Sequence, residues 1–444
     1  MWQQLGACAG TAEIHHRTVP EPQTQQRLEP FKRVCRQFPA THLHPCLEFL
    51  RQHRTDNAIV PAVPLEARLR QRLAALDAQG LRRELPEIRE RRGVQYLHGD
   101  REVVGFCSND YLGLSEAPQT TGAPAGAASS RLICGDLDLH RDAEQELAAL
   151  ADQEDAVLFP SGFQLNVGVL PSLLSSEDRV FSDALNHASI IDGLRLSKAP
   201  RTILPHLAPP PRDSTSGPGG IRWWVTESVF SMDGDAANVE GLRTALEDGF
   251  CVYMDDAHGF GLHDGGRGWP QAHGLRPSLY IGTLSKALGC AGAFVAGSRT
   301  VCDWIRTRAR SFVFSTGTSP RVVESILSGL ALLKGGAGDA ARSRLRQNLE
   351  HLANALRLPR VPVTPIVPIV LGSNERAVAV ASQLLARGWH VQAIRPPTVP
   401  LGAARLRLTL SATHQPEHID GLVAALRDVL GPQHSDLASS APTP

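Results

Sequence analysis

Between about residue 138 and residue 283 helix-patterned segments alternate with short apolar runs. "HRDAEQELAALADQ" precedes "DAVLF", "SGFQLNVGVLPSLL" precedes "DRVFSD", and "HASIIDGLRLS" precedes "RTILPH". "RWWVTESVF", "VEGLRTALEDG", "FCVYMDDAH" and "LYIGTL" continue the series. The strand-like runs are apolar at nearly every position, so both faces of each strand need cover. Repeated βα units supply it, which predicts a mostly parallel sheet with helices on both sides. Scarce aromatics (5%) beside 39 Gly and 32 Pro favour an α/β enzyme with many tight turns over a β-sandwich or a disordered chain.

The flanking regions read differently. Residues 1–62 hold His15, His16, His42 and His44 with little apolar periodicity, and read as a weakly ordered extension. From Pro64, Leu65, Leu69, Leu73 and Leu76 fall at helical spacing, so an amphipathic helix opens a segment over 63–105 that also includes the strand "REVVGF". A large domain follows over 106–320. A long helix "PRVVESILSGLALLK" then leads into a smaller portion over 321–432 with strands at "TPIVPIVLG", "WHVQAIRPP" and "ARLRLTLSA", and residues 433–444 read as a disordered tail.

Lys plus Arg (45) equals Asp plus Glu (45), so no charge excess points to nucleic acid or an acidic membrane. No apolar run reaches the ~18 residues of a membrane span, and no signal pattern opens the chain. The eight cysteines lie far apart without a C-x-x-C pair, which predicts reduced thiols and a cytoplasmic protein.

In an open α/β sheet, ligands bind beyond the carboxyl ends of the strands, and the chain's out-of-place polar residues are predicted there. Lys286 in "YIGTLSKALGCAGAF" sits among small apolar residues that would strip its hydration, as in a lysine kept neutral enough to form a Schiff base. "FPSGFQLN" brings Gly162 and Phe163 to a helix start suited to phosphate. Thr283 precedes the lysine by three residues and can contact the same phosphate. His140 opens a helix and His187 follows a strand; either could stack on a flat ring. "YMDDAHGFG" ends a strand in Asp255 and Asp256, with His258 beyond. These could gather a metal, but the stretch lacks the further ligands a divalent ion takes, so no metal is expected. A carboxylate there can instead hold a ring nitrogen protonated, with His258 near a ring oxygen and Ser231 on a neighbouring strand end. Together these are the parts that pyridoxal phosphate requires.

The signatures "SNDYLGLS", "SSRLICGDLDLH", "SGFQLN", "NHASIIDG", "TESVFSMDGD", "MDDAHGFG", "TLSKALG" and "FSTGTSP" resemble, in order, those of the α-oxoamine synthases. The resemblance covers roughly residues 64 to 432. It implies the aspartate-aminotransferase fold (fold type I), with a large, mostly parallel seven-stranded sheet domain and a smaller C-terminal α/β domain. It further implies that Lys286 carries pyridoxal 5'-phosphate, that Asp255 pairs with the ring nitrogen, and that His140, rather than His187, stacks on the ring and meets the substrate. By the same resemblance Ser231 and His258 lie near the phenolic oxygen, Gly162 and Phe163 lie along the cofactor, and Thr283 contacts the phosphate. Ser315 and Thr316 would reach the phosphate of a neighbouring subunit, since the family's sites lie at a homodimer interface. The stretch "AIRPPTVPLGAARLRLTL" resembles members that condense L-alanine with a pimeloyl thioester, of coenzyme A or an acyl carrier protein, in biotin synthesis. Arg82, Asn109, Thr398 and Arg407 would then contact substrate, Arg407 through the amino-acid carboxylate. A sister synthase joining glycine to acetyl-CoA would share every cofactor residue.

Overall fold

The computed structural model describes residues 64–117 and 122–431. The expected extension over 1–62 and tail over 433–444 lie outside the described residues. Chain contacts define two compact units, residues 1–74 and 75–444. Residues 64–74 open the helix Pro64–Ala78, which buries none of its residues. The expected helix is there, but its four leucines stay 40–52% exposed.

Three sheets organise the second unit. A hairpin sheet contains β1 (Ile88–Arg92), β2 (Gln95–His98) and β3 (Arg101–Gly105). The large sheet comprises β4 (Asp155–Phe159), β5 (Arg179–Asp183), β6 (Arg201–Leu204), β7 (Arg222–Glu227), β8 (Cys251–Asp255), β9 (Leu279–Thr283) and β10 (Ala293–Gly297), in the order β4-β10-β9-β8-β7-β5-β6. It has the seven strands expected, and only β10 runs antiparallel to its neighbours. "AFVAG", which forms β10, is too rich in Ala and Gly to declare itself as a strand, yet it is buried throughout between β4 and β9.

The two faces are covered as the apolar strands demand. Helices Gly162–Leu173, Ala188–Ser197 and Arg299–Arg308 bury Leu165, Ile190, Leu194 and Ile305 against Val157, Val225 and Ile281. On other surfaces, helix Val239–Glu247 packs near Trp224 and Met254, while helices Asp138–Leu150 and Pro320–Lys334 enclose Leu158, Tyr280 and Phe294. Each such aliphatic side chain contributes about 1.5–3 kcal/mol by leaving water. Gly193 shows how close two of the helices come, because a Cβ there would lie 2.5 Å from Asn166 O.

The smaller sheet has β11 (Ile366–Gly372), β13 (Gln392–Ile394) and β14 (Ala404–Thr409), in the order β11-β14-β13 and all antiparallel. Between them in sequence, β12 (Trp389–His390) leaves to pair in parallel with β3. The strands β1 to β3 thus complete a four-stranded sheet with a strand of the C-terminal portion. Every residue of β14 is buried, and the two-residue period puts Arg405, Arg407 and Thr409 on one side of it. Among the described residues no helix is long and apolar enough to cross a membrane.

Candidate active site

Strand register assembles the centre of the site. Glu227 lies opposite Asp255 across β7 and β8, and Asp255 opposite Ile281 of β9, two residues before that strand ends at Thr283. Lys286 follows in the turn. Burial lowers its amine to about 8, while the carboxylates of Asp255 and Glu227 pull upward and Arg407 pushes down. An amine so placed can exchange a proton near neutral pH, which an ordinary surface lysine cannot. Asp255 is buried, with Oδ1 accepting the Ala257 N–H at 3.1 Å and Oδ2 accepting Asn166 Nδ2 at 2.9 Å. Asn166 has no slack of its own. Its amide also donates to Ser189 Oγ at 2.9 Å and accepts from Tyr253 OH at 2.6 Å. Glu227 accepts the His187 N–H, and burial next to Asp255 raises its pKa well above the usual carboxylate range.

A second group converges from β14 and the turn after β3. Arg407, only 7% exposed, donates through Nη1 and Nη2 to Asn109 Oδ1 at 3.3 and 3.2 Å. Its Nη1 also reaches Thr409 Oγ1 at 3.0 Å, and its Nε donates to the Ser231 carbonyl. The neighbouring Arg405 pairs with Asp233, so two arginines of one strand hold the loop that carries Ser231. His258 is buried, and its Nδ1 lies 2.6 Å from Tyr111 OH. Burial, with Lys286 and Arg407 nearby, drives its pKa well below the ordinary value, so the ring is neutral.

A third part of the candidate site is the start of helix Gly162–Leu173, whose Ser161 cap accepts the Gln164 N–H at 3.2 Å. An added Cβ on Gly162 would lie 3.9 Å from Thr283 Oγ1, so the helix start and the threonine border one space. Thr283 Oγ1 is also 3.1 Å from Ser285 Oγ. A helix N-terminus with two hydroxyls beside it suits a phosphate. With a low-pKa lysine and a fixed carboxylate at the other end, the residues fit pyridoxal phosphate. Phe163 is 49% exposed at this helix start. Ser315 accepts Gln164 Nε2 at 2.9 Å, while Thr316 and its neighbour Phe314 are exposed.

Other expected residues are placed less simply. His140 is fully buried, with Nδ1 accepting the Leu137 N–H at 3.1 Å and Nε2 facing Thr318 O at 2.9 Å. Both nitrogens are committed to backbone, so a hydrogen bond to substrate would require giving one up. His187 is instead the exposed histidine. Burial of its ring atoms and Lys286 lower its pKa while Asp255 opposes them, and its Nδ1 meets Ser189 Oγ at 2.8 Å. Arg82 bonds within its own segment. It pairs with Asp77 at 2.8 Å, and its neighbour Arg83 reaches Thr398 Oγ1 at 3.5 Å. Arg395 adds a bond to Gly80 O, which fastens this segment to the loop before Thr398. Asn166, Glu227 and Tyr111 escape a reading of the sequence for site residues, although all three lie within the quoted signatures.

The family model "Aminotransferase class I and II" matches residues 101–426. An 8-amino-7-oxononanoate synthase of Herminiimonas arsenicoxydans is 40% identical over 377 residues, covering 80% of this chain and 97% of the relative. One from Burkholderia mallei (strain SAVP1) is 41% identical over 387 residues, covering 82% and 98%. Among solved structures, a Sphingomonas wittichii serine palmitoyltransferase superposes with a TM-score of 0.72 at 26% identity, over 82% of this chain and 96% of that one. An 8-amino-7-oxononanoate synthase from Francisella tularensis gives 0.62 at 25% identity, over 75% and 99%. With Lys286, Asp255 and the start of helix Gly162–Leu173 gathered at the strand ends of this sheet, the chain belongs to the class I and II aminotransferase family, in its α-oxoamine synthase branch.

Proposed function

We propose that this protein condenses L-alanine with a pimeloyl thioester to give 8-amino-7-oxononanoate, free thiol and CO2. A bond forms between the alanine Cα and the acyl carbon, the C–S bond breaks, and the alanine carboxylate leaves as CO2. The observation that carries the reading is the buried Arg407 guanidinium held beside Asn109, in the same electrostatic neighbourhood as Lys286. Two relatives at 40–41% identity, matched over nearly their whole length and named for this product, support it.

Pyridoxal phosphate, when bound, supplies an electron sink for charge developing at the amino-acid Cα. Four of the five Arg407 N–H groups are held by Ser231 O, Asn109 Oδ1 and Thr409 Oγ1, so the guanidinium takes the amino-acid carboxylate through its remaining Nη2 N–H and by giving up one bond to Asn109. Lys286, with a pKa near 8, takes the Cα proton and later returns one. Asp255, fixed by Asn166 and the Ala257 N–H, stabilises positive charge at the ring nitrogen from a dry site where such charge counts most. Thr283, the start of helix Gly162–Leu173 and Ser161 hold the phosphate. The exposed Thr316, with Ser315, supports a homodimer in which each subunit completes its neighbour's phosphate site. The acyl donor is read as a coenzyme A or carrier-protein thioester, and the compartment as the cytoplasm.

Alanine, glycine and serine, each offered with pimeloyl, acetyl and long-chain acyl-CoA, test the reading by mass spectrometry of the products. Alanine with pimeloyl-CoA should give the fastest turnover and 8-amino-7-oxononanoate. Faster formation of 2-amino-3-oxobutyrate from glycine and acetyl-CoA would replace the proposed substrates and leave the family intact.

A further inference from the structure

Tyr111 has no accessible surface, yet its hydroxyl lies between the two halves of the site. It is 2.6 Å from His258 Nδ1 and 3.3 Å from Asn109 Oδ1, the oxygen to which the Arg407 guanidinium donates. A tyrosine present only to fill the core would have no use for that oxygen, and burying an unbonded hydroxyl is destabilising. Here its neighbours come from two parts of the chain, the turn after β3 and the turn after β8.

The direction of the short bond follows from counting lone pairs. Asn109 Oδ1 has two, and Arg407 Nη1 and Nη2 already donate to them. The one phenol proton has a nearer partner in His258 Nδ1, at 2.6 Å, than in Asn109 Oδ1, at 3.3 Å. We propose that Tyr111 is a positioning residue that donates to His258 Nδ1 and so fixes the imidazole with its proton on Nε2. In that tautomer His258 presents an N–H donor, which on the reading above faces the phenolic oxygen of pyridoxal phosphate. The neutral state of the ring agrees, since burial, Lys286, Arg407 and His187 all oppose a second proton. Tyr111 OH also adjoins Asn109 Oδ1, the acceptor of the guanidinium proposed to take the amino-acid carboxylate, so the two ends of the amino-acid site meet at one buried phenol.

This inference rests on the cofactor assignment, and the experiment separates the two. Wild type and Tyr111→Phe are loaded with pyridoxal phosphate, and the absorbance of the bound chromophore is titrated with pH. The substitution keeps the aromatic packing and removes only the donor. Without it the His258 proton is free to move to Nδ1, the phenolic oxygen loses its donor, and the chromophore should hold its own proton more tightly. Its pKa should rise by about half a unit or more. The shift should vanish when His258→Gln is already present, because the effect passes through that ring. An unchanged titration, or an equal shift without His258, would overturn the proposal. In wild-type protein labelled with 15N-histidine, His258 should show a protonated Nε2 and a bare Nδ1, and the opposite tautomer would overturn it whether or not the variant folds. Failure of wild type to bind pyridoxal phosphate would remove the cofactor reading itself.

Discussion

Replacing Asp255 with Asn keeps the shape of the side chain and removes its charge. The structure sets two separate costs. Both carboxylate oxygens accept N–H groups, from Asn166 at 2.9 Å and Ala257 at 3.1 Å. An amide offers one oxygen, so its NH2 must face a donor, and one buried hydrogen bond is lost at about 1–3 kcal/mol of stability. The second cost falls on turnover. A fixed charge in a water-excluded site is worth about 3 kcal/mol or more to a transition state, which is a hundredfold or more in rate. Lys286 moves as well, since Asp255 is the main charge holding its proton against burial, and its pKa should drop below 8. Asp255→Asn should therefore bind pyridoxal phosphate, melt a few degrees lower, and turn over alanine and pimeloyl-CoA at least ~100-fold more slowly. Steady-state kinetics with saturating cofactor measures this. A kcat within about threefold of wild type would refute the electronic role of Asp255.

Arg407→Ala should raise the KM for the amino acid and leave that for the acyl thioester nearly unchanged, as separate substrate titrations would register. Because Arg83 rather than Arg82 reaches Thr398, Arg83→Ala should raise the acyl-thioester KM about tenfold, and Arg82→Ala, whose guanidinium is tied to exposed Asp77, less than about twofold; the reverse ranking would restore Arg82. His206 bridges Asp183 and Asp235 at 2.9 and 2.6 Å, and although burial opposes its charge, the two hydrogen bonds raise its pKa from 6.5 to about 10. A pKa raised on folding adds stability below pH 6.5 that is lost as pH climbs toward 10, about 2 kcal/mol after allowing for solvent screening of the partly exposed ring. The Tm gap between wild type and His206→Gln should thus be wide at pH 6 and nearly closed at pH 10, and a pH-independent gap would contradict the assignment.

Residues that look misplaced in a sequence are the easiest to interpret. Lys286, Asp255 and Thr283 are polar groups at the ends of apolar strands, so their positions betray a site before any geometry is known. Arg407 is legible for a related reason, since a charged residue within "ARLRLTL" needs a partner if that strand is buried. Asn166 carries no such signal, because in "GFQLNVGVL" it reads as one polar position on a helix. Only the packing of that helix on β4, β9 and β10 brings its amide to Asp255. Tyr111 reads as an aromatic core anchor, and its hydroxyl gains meaning only when β14 and the turn after β8 close around it. Arg82 and Arg83 are adjacent in an irregular segment, where no periodicity says which one turns toward Thr398. The hairpin β1–β2 stays hidden because "IRERR" and "QYLH" show no burial alternation, and the helix Gly336–Leu356 because it opens on Gly-Ala-Gly.

The central claim is that Lys286 is the cofactor lysine, and the composition makes it easy to test. Besides Lys286 the chain has only Lys32, Lys198 and Lys334. Protein loaded with pyridoxal phosphate, reduced with borohydride and digested should yield one pyridoxyl-bearing peptide, modified at Lys286, with Lys286→Ala giving none. A label on Lys32, Lys198 or Lys334, or no covalent label at all, would contradict the account.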